Sequence, residues 1–367
     1  MSSILRREFV KAAGAAAAGL AMATAERASA GAEDGKAKPP RVKVGQIGTA
    51  HAHAGGKMDT LRRLRDEFEV VGVVEPDPER RKAAQQSPVY RGLKWLTEEE
   101  LFGTSGLKVV AVETAVKDLL PTAARCIAAG MHIHLDKPAG QSLAEFRRVL
   151  DAASASRLTV QMGYMFRHNP AFRFCFQAVR EGWLGRIFFV HGVMSKQQTA
   201  EARRPLLAYP GGIMFELGCH LIDALATVLG RPDAVTPHGR HVRPELDGLL
   251  DDHLAVFDYP QATATIQACA VEVEGEKRRQ FTVCGTEGTI DIRPLEPPKL
   301  LLALSEPKGT HRKGYQEVTL PAMPGRYDDH LVELARIVRG EKQSEYPPEH
   351  DLLVQELVLR ASGQAAG

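Results

Sequence analysis

Several things are scarce in this sequence, and each scarcity removes a class of protein. Net charge is nearly absent: 47 lysines and arginines face 45 aspartates and glutamates, leaving +2 over 367 residues. With no basic field to gather phosphates, a nucleic-acid partner is disfavoured. Cysteine is sparse, and Cys126, Cys175, Cys219, Cys269 and Cys284 are odd in number and widely scattered. They form no disulfide framework and read as core residues. No apolar run beyond the N-terminus approaches the ~20 residues of a membrane span, so stable membrane anchoring is not expected. Internal repeats are missing too. What remains is ordinary globular material, 44% hydrophobic and 25% charged, long enough for two domains.

The N-terminus stands apart. "LRREFVK" places Arg6 and Arg7 side by side, followed by Phe9 and Lys11; the weakly apolar run "AAGAAAAGLAMATA" comes next, and "ASA" ends at Ala30. Paired arginines, an apolar core and small residues in that order read as a twin-arginine export signal over 1–30, cleaved near Ala30. The expected partner is the twin-arginine export machinery and the expected location the periplasm. Residues 31–40, "GAEDGKAKPP", read as a tether.

From Arg41 the pattern alternates strand and helix. "VKVGQIG", "FEVVGVVEP", "LKVVAVETA", "MHIHLDKP" and "LTVQMGYM" are apolar runs separated by helical spacing such as "LLPTAARCIAAG" and "SLAEFRRVLDAASAS", the latter capped by Ser142. This alternation predicts parallel strands with right-handed crossovers, a doubly wound Rossmann sheet, over 41–165. Over 166–367 the texture changes to long alternating runs, "DHLAVFDYP", "ATATIQACAVEVEG" and "RRQFTVCGTEGTIDIRP", with turns of the "GTEG" kind. An α+β domain with a large, open, mainly antiparallel sheet is expected there. Its exposed face would be an oligomer surface.

The loop "GTAHAH" after the first strand admits two readings. As a phosphate cradle it offers Gly48 for the turn and Ala50 for close backbone approach, while His53 stands where a third glycine belongs. Glu75, ending the second strand, suits a ribose 2′-hydroxyl and leans to NAD over NADP by repelling a 2′-phosphate. As half of a metal site the loop offers His51 and His53, but a metal-dependent hydrolase needs further ligands on later strands of a barrel. The turn to antiparallel pattern denies that barrel. The cradle is the favoured reading, with no metal expected.

Two further stretches look like chemistry. "HLDKPAG" puts Lys137 at the carboxyl edge of the sheet, where a desolvated lysine can handle the proton of a substrate hydroxyl, and Pro138 stiffens its exit. In "YPGGIMFELGCHLIDAL", Glu216, His220 and Asp223 fall at i, i+4 and i+7, so a helix would set them on one face. A carboxylate one turn from an imidazole can fix its tautomer, as a general base needs.

Taken in order, the dinucleotide loop, the acidic second-strand end, "DKP", "GYMFRHNP" and "GGIMFELGCHLID" resemble the glucose–fructose oxidoreductase and inositol dehydrogenase family (Gfo/Idh/MocA) from Val42 onward. The resemblance implies a Rossmann domain carrying NAD or NADP and a second domain holding a sugar or polyol. It further implies that Lys137 and His220 handle the substrate proton during hydride transfer, that Glu216 orients substrate or His220, and that Asp223 supports them. Tyr164, Arg167 and Asn169 would line the substrate pocket. Gly48, Thr49, Ala50, His51, His53, Glu75, Thr114, Asp136 and Lys137 would contact the cofactor. The sequence departs from the family pattern in Asp136 for glutamate, Glu216 for aspartate, and the histidines of the loop, which could meet pyrophosphate or substrate.

Export adds a constraint. Because dinucleotide pools are cytoplasmic, an exported Rossmann enzyme is expected to carry its cofactor tightly bound and to restore it within each cycle. Oxidising one sugar while reducing another satisfies this. So does a glycoside hydrolase or lyase working by oxidation, elimination and reduction. A nucleotide-dependent binding protein without catalysis is disfavoured by the intact Lys137 and His220.

Overall fold

The apolar runs near the N-terminus form a wholly parallel sheet. In chain order its elements are β1 (Val42–Ile47), α1 (Ala54–Arg63), β2 (Phe68–Val74), α2 (Pro78–Gln86), α3 (Glu98–Phe102), β3 (Leu107–Val112), α4 (Val116–Ala128), β4 (His132–Leu135), α5 (Leu143–Ala155) and β5 (Val160–Met162). The strand order β2-β1-β3-β4-β5 reverses direction at β1 and β3. Chain leaving these two neighbours departs to opposite faces, which opens a crevice at their carboxyl ends. The computed structural model describes residues 38–209 and 211–364, so the expected export signal and most of the tether lie outside the described residues.

Capping accounts for several boundaries. The Asp77 side chain accepts the Glu79 and Arg80 N–H groups to open α2, Thr97 and Glu100 close a reciprocal capping box on α3, and Ser142 accepts from Glu145 N–H to open α5, as the sequence predicts. Helix α1 begins at Ala54, one turn earlier than its apolar spacing suggests.

The remaining elements are α6 (Pro170–Arg180), β6 (Ile187–Val193), α7 (Ala200–Arg203), α8 (Cys219–Leu229), β7 (Ala234–Arg240), β8 (Asp252–Tyr259), β9 (Ala262–Cys269), β10 (Gln280–Gly285), β11 (Gly288–Ile292), β12 (Leu300–Leu304), β13 (Gly314–Glu317), α9 (Asp328–Val338) and α10 (Pro348–Ala361). They build an eight-stranded sheet of order β13-β12-β11-β10-β6-β9-β8-β7. Every pairing is antiparallel except β6 with β9. The fold class is thus the expected one. Strands β7 and β13 escape a pattern reading because both are sheet edges; β7 is almost wholly exposed and β13 half so, leaving little apolar alternation.

One face of the large sheet packs on α6 and α8, with Val190, Ile266 and Phe281 meeting Phe172, Leu221 and Ile222 in the main core. The other face carries Phe189, Leu254, Leu301 and Tyr315 exposed. Helix α9 returns to the parallel sheet, where Leu331, Leu334 and Ala335 join Val42, Val44, Val109 and Ala111. Among the described residues no helix is long and apolar enough to cross a membrane, and all five cysteines are free.

Glu333 fastens α9 in place. Its carboxylate lies 3.1 Å from His168 Nε2 and 2.5 Å from Lys342 Nζ. Burial alone would raise its pKa, but the hydrogen bonds from His168 and Lys342 bring it down to about 2. A carboxylate depressed on folding adds stability that is complete above its ordinary value and lost as pH falls toward the folded value. Thermal melts from pH 6 to 2 are therefore expected to show an acid loss that Glu333→Gln reduces, by up to about 3 kcal/mol.

Candidate active site

The crevice is built on one glycine. Gly48 adopts φ +90°, and a Cβ there would stand 2.6 Å from the Thr114 backbone nitrogen. Only glycine lets the loop after β1 lie against the loop after β3; His51 N–H then donates to the Glu113 carbonyl at 3.0 Å. Glu75 clamps the same turn, accepting from Thr49 N–H and Thr49 Oγ1, both at 2.7 Å, and from Asp77 N–H at 3.0 Å. Three acceptor positions are used, so one remains for a ligand hydroxyl. The resulting cleft of about 290 Å³ is lined by Gly48, Ala50, Glu75, Arg80 and Thr114 among others.

A dinucleotide fits this arrangement. The first turn of α1 is Ala54-Gly55-Gly56 without an acidic side chain, and the space beside Gly55, where a Cβ would project, is open. A bare helix N-terminus facing a crevice is an anion seat. Gly55 and Gly56 thus stand in, two and three residues late, for the glycine that His53 replaces. Sequence reading passed over them because they fall outside the usual spacing.

The histidines do not line that cleft; their side chains turn toward the end of β4. His51 Nδ1 lies 3.0 Å and His53 Nδ1 3.3 Å from the two oxygens of Asp136. Lys57, buried on α1, stands 2.8 Å from Asp136 and 3.1 Å from Glu113. Asp136 also accepts the Lys137 N–H at 2.6 Å. Burial raises the Glu113 carboxyl well above the usual range, and Asp136 beside it adds to this. Burial would likewise raise Asp136, yet His51 and Lys57 hold it well below the usual range. Asp136 is therefore the hub of a buried charged cluster. Neither Lys57 nor Glu113 was singled out from the sequence; Glu113 ends a buried strand as Glu75 does, and that signal was available.

Beyond the hub lie the residues expected to do chemistry. The Lys137–Pro138 peptide is cis, and α10 pins the turn through Gln355, which accepts from Ala139 N–H at 3.1 Å and donates to the Gly140 carbonyl at 2.7 Å. Lys137 Nζ donates to the Glu216 carbonyl at 2.6 Å and to its carboxylate at 3.1 Å. Burial would lower the lysine, but Glu216 raises it; burial would raise Glu216, but Lys137 and then Lys196 bring it down to about 2. The two form an ion pair. His220 is driven well below its ordinary pKa by burial and then by Lys137. Its ring sits 6.2 Å from Tyr164, 5.7 Å from Phe166 and 6.5 Å from His53, and its Nδ1 is buried without a partner.

The expectation that Glu216, His220 and Asp223 share a helical face does not hold. Residues Met214–Gly218 form a π-helical turn before α8 begins at Cys219. The wider turn directs Glu216 to Lys137, away from His220. Asp223 goes to a third place: Arg167 donates to it at 2.6 Å and to Asp351 at 2.6 Å, with its guanidinium 3.9 Å over the Tyr346 ring. Asn169 caps α6 by accepting from Ala171 N–H and donates to the Leu295 carbonyl. Arg167, Asn169 and Asp223 are thus buried fastenings, whereas Tyr164 alone of that group packs on His220.

Comparison with known proteins agrees with this fold. Residues 42–164 match an oxidoreductase family with an NAD-binding Rossmann fold, and residues 172–291 match the GFO/IDH/MocA C-terminal domain. Trans-1,2-dihydrobenzene-1,2-diol dehydrogenase of Macaca fuscata fuscata is 25% identical over 71% of this chain and 75% of its own length. The scyllo-inositol 2-dehydrogenase (NAD(+)) of Bacillus subtilis is 24% identical over 60% of this chain and 65% of its own. An aldose-aldose oxidoreductase from Caulobacter crescentus, complexed with glycerol, shares the fold with a TM-score of 0.74 at 17% identity, over 88% of this chain and 98% of that one.

Removing Arg167 leaves Asp223 and Asp351 buried without their shared cation. Arg167→Leu is expected to destabilise the fold by about 3–5 kcal/mol in equilibrium denaturation. A stability within 1 kcal/mol of the parent would return Arg167 to the substrate pocket.

Proposed function

The chain belongs to the GFO/IDH/MocA family and is an NAD(P)-dependent oxidoreductase; from there we propose that it acts on a hydroxyl of a sugar, polyol or related carbohydrate. The observation that carries this reading is the pairing of a neutral imidazole, His220, with a charged Lys137–Glu216 pair at the carboxyl edge of the parallel sheet. Relatives bearing the names of inositol and dihydrodiol dehydrogenases support the substrate class.

Each residue then has a part. Gly48, Thr49, Ala50, Glu75, Thr114 and the start of α1 would hold the dinucleotide. When bound, the nicotinamide supplies the hydride acceptor and, in reverse, the donor. Neutral His220 takes the hydroxyl proton as hydride leaves the carbon. Lys137 stays protonated; two of its three N–H groups are committed to Glu216, and the third donates to the substrate oxygen as negative charge grows there. Glu216 positions Lys137 and does not orient His220. The low exposure of this whole group keeps water from competing with those hydrogen bonds.

Tight cofactor retention, periplasmic export and homo-oligomerisation through the open sheet face belong to the same proposal, with NAD favoured over NADP by Glu75. The redox-cycle hydrolase or lyase remains the second reading, because it would use the same Lys137, His220 and bound nicotinamide.

His220→Ala is expected to lower kcat by ~10²–10⁴-fold on polyols or aldoses with little change in bound dinucleotide, and Lys137→Met to do likewise. Stopped-flow absorbance at the reduced-nicotinamide band reads both; unchanged rates would remove the two residues from the chemistry. Glu75→Ala is expected to weaken NADH binding by about 10–100-fold, the worth of a hydrogen bond to a charged group, and NADPH binding much less. Fluorescence titration of reduced dinucleotide decides it, and equal losses for the two would contradict the ribose assignment.

A further inference from the structure

His51 is held between two acceptors, the Lys137 carbonyl and the Asp136 carboxylate. Its Nε2 lies 3.1 Å from the Lys137 carbonyl oxygen, which can only accept, so the ring proton sits on Nε2. The His53 backbone N–H donates to His51 Nδ1 at 3.4 Å, so that nitrogen presents a lone pair. The same Nδ1 nevertheless stands 3.0 Å from Asp136 Oδ2. That oxygen is buried and also lies 2.8 Å from Lys57 Nζ. Lys57 offsets part of its charge, and the close His51 contact needs a proton or a metal ion between the two atoms.

We propose that His51, His53 and Asp136 hold a divalent transition-metal ion. Their donor atoms all lie within 4.8 Å of one another, and no other such grouping occurs among the described residues. His51 Nδ1 stands 3.0 Å from Asp136 Oδ2 and His53 Nδ1 3.3 Å from Asp136 Oδ1, so each histidine faces its own oxygen of the carboxylate. Two imidazoles and a carboxylate suit zinc, cobalt or another borderline divalent ion. The supporting groups are also present. The Lys137 carbonyl accepts the outer N–H of His51, which fixes its tautomer and orientation as a metal-bound histidine requires. Lys57 bridges Asp136 and Glu113 and so fixes the aspartate where both histidines reach it. Gly163 completes the seat, since a Cβ there would stand 2.8 Å from Lys57 Nζ and 3.2 Å from Asp136 Oδ1.

Three protein ligands leave a coordination position open. The His53 ring is 6.5 Å from that of His220, so water or a substrate oxygen in that position would lie beside the proposed base. The loop after β1 would then serve two ligands at once. Its backbone faces the dinucleotide crevice while its histidine side chains face the metal. On this account the loop histidines and the aspartate of "DKP", separate departures in the sequence, are a single feature.

This inference does not depend on the dinucleotide reading, and its test reads the metal directly. The full chain, stripped with chelator, is titrated with ZnCl₂ by calorimetry and with CoCl₂ by visible absorption, and its reduced-dinucleotide binding is measured alongside. One equivalent of either ion is expected, with cobalt bands of nitrogen and oxygen ligation and a melting temperature that rises with metal concentration. His51→Ala and His53→Ala are expected to weaken binding at least 100-fold, while melting like the stripped parent and retaining reduced-dinucleotide binding. Less than a tenth of an equivalent bound, or equal binding by both variants, would overturn the site.

Discussion

A single buried carboxylate at the end of β4 organises the chemistry of this protein. Asp136 faces His51 and His53 from the loop after β1, Lys57 from α1 and the N–H of Lys137 from its own turn. An ionised carboxylate in the interior persists only where cations and donors replace water. Each partner is therefore constrained by the others: the loop can close only where its histidines reach the strand end, and Lys137 enters its cis turn with its N–H already committed. The crevice at the β1/β3 reversal supplies the place, and Asp136 sets the side chains around it.

Charge is apportioned in two groups next to each other. Around Asp136, one ionised carboxylate and the raised Glu113 carboxyl meet one ammonium and two imidazoles. One residue further on, Lys137 and Glu216 neutralise each other and leave His220 uncharged against Tyr164 and Phe166. That division separates roles. A charged lysine stabilises developing negative charge, and a neutral imidazole accepts a proton. The extra methylene of Glu216, where the resembled pattern has aspartate, accompanies a π-helical turn that lets both its carbonyl and its carboxylate reach Lys137.

Much of this was legible in the sequence, for local reasons. Strand and helix alternate at the period of a doubly wound sheet, Gly48 and Glu75 sit where the first βαβ unit needs them, and Lys137 follows a buried strand. What the sequence hid depends on distance or on irregular backbone. Arg167 meets partners 56 and 184 residues away, so its burial has no local sign, and a motif placed it in the pocket instead. The i, i+4 reading of Glu216 and His220 assumed 3.6 residues per turn and failed at the π-helical turn. Lys57 carries no local sign of its role because its partners, Glu113 and Asp136, arrive on other strands. The two loop readings that competed in the sequence are resolved by direction, since backbone and side chains of one loop face different ways.

The measurement that bears most directly on this account is a crystal structure of the full chain with NAD bound. The pyrophosphate is expected at the start of α1, the adenosine ribose on Glu75 and the nicotinamide ring beside Lys137 and His220, with Asp136 still between the loop histidines and Lys57. A dinucleotide whose ring lies away from Lys137 and His220, or whose binding pulls His51 and His53 off Asp136 onto the pyrophosphate, would contradict it.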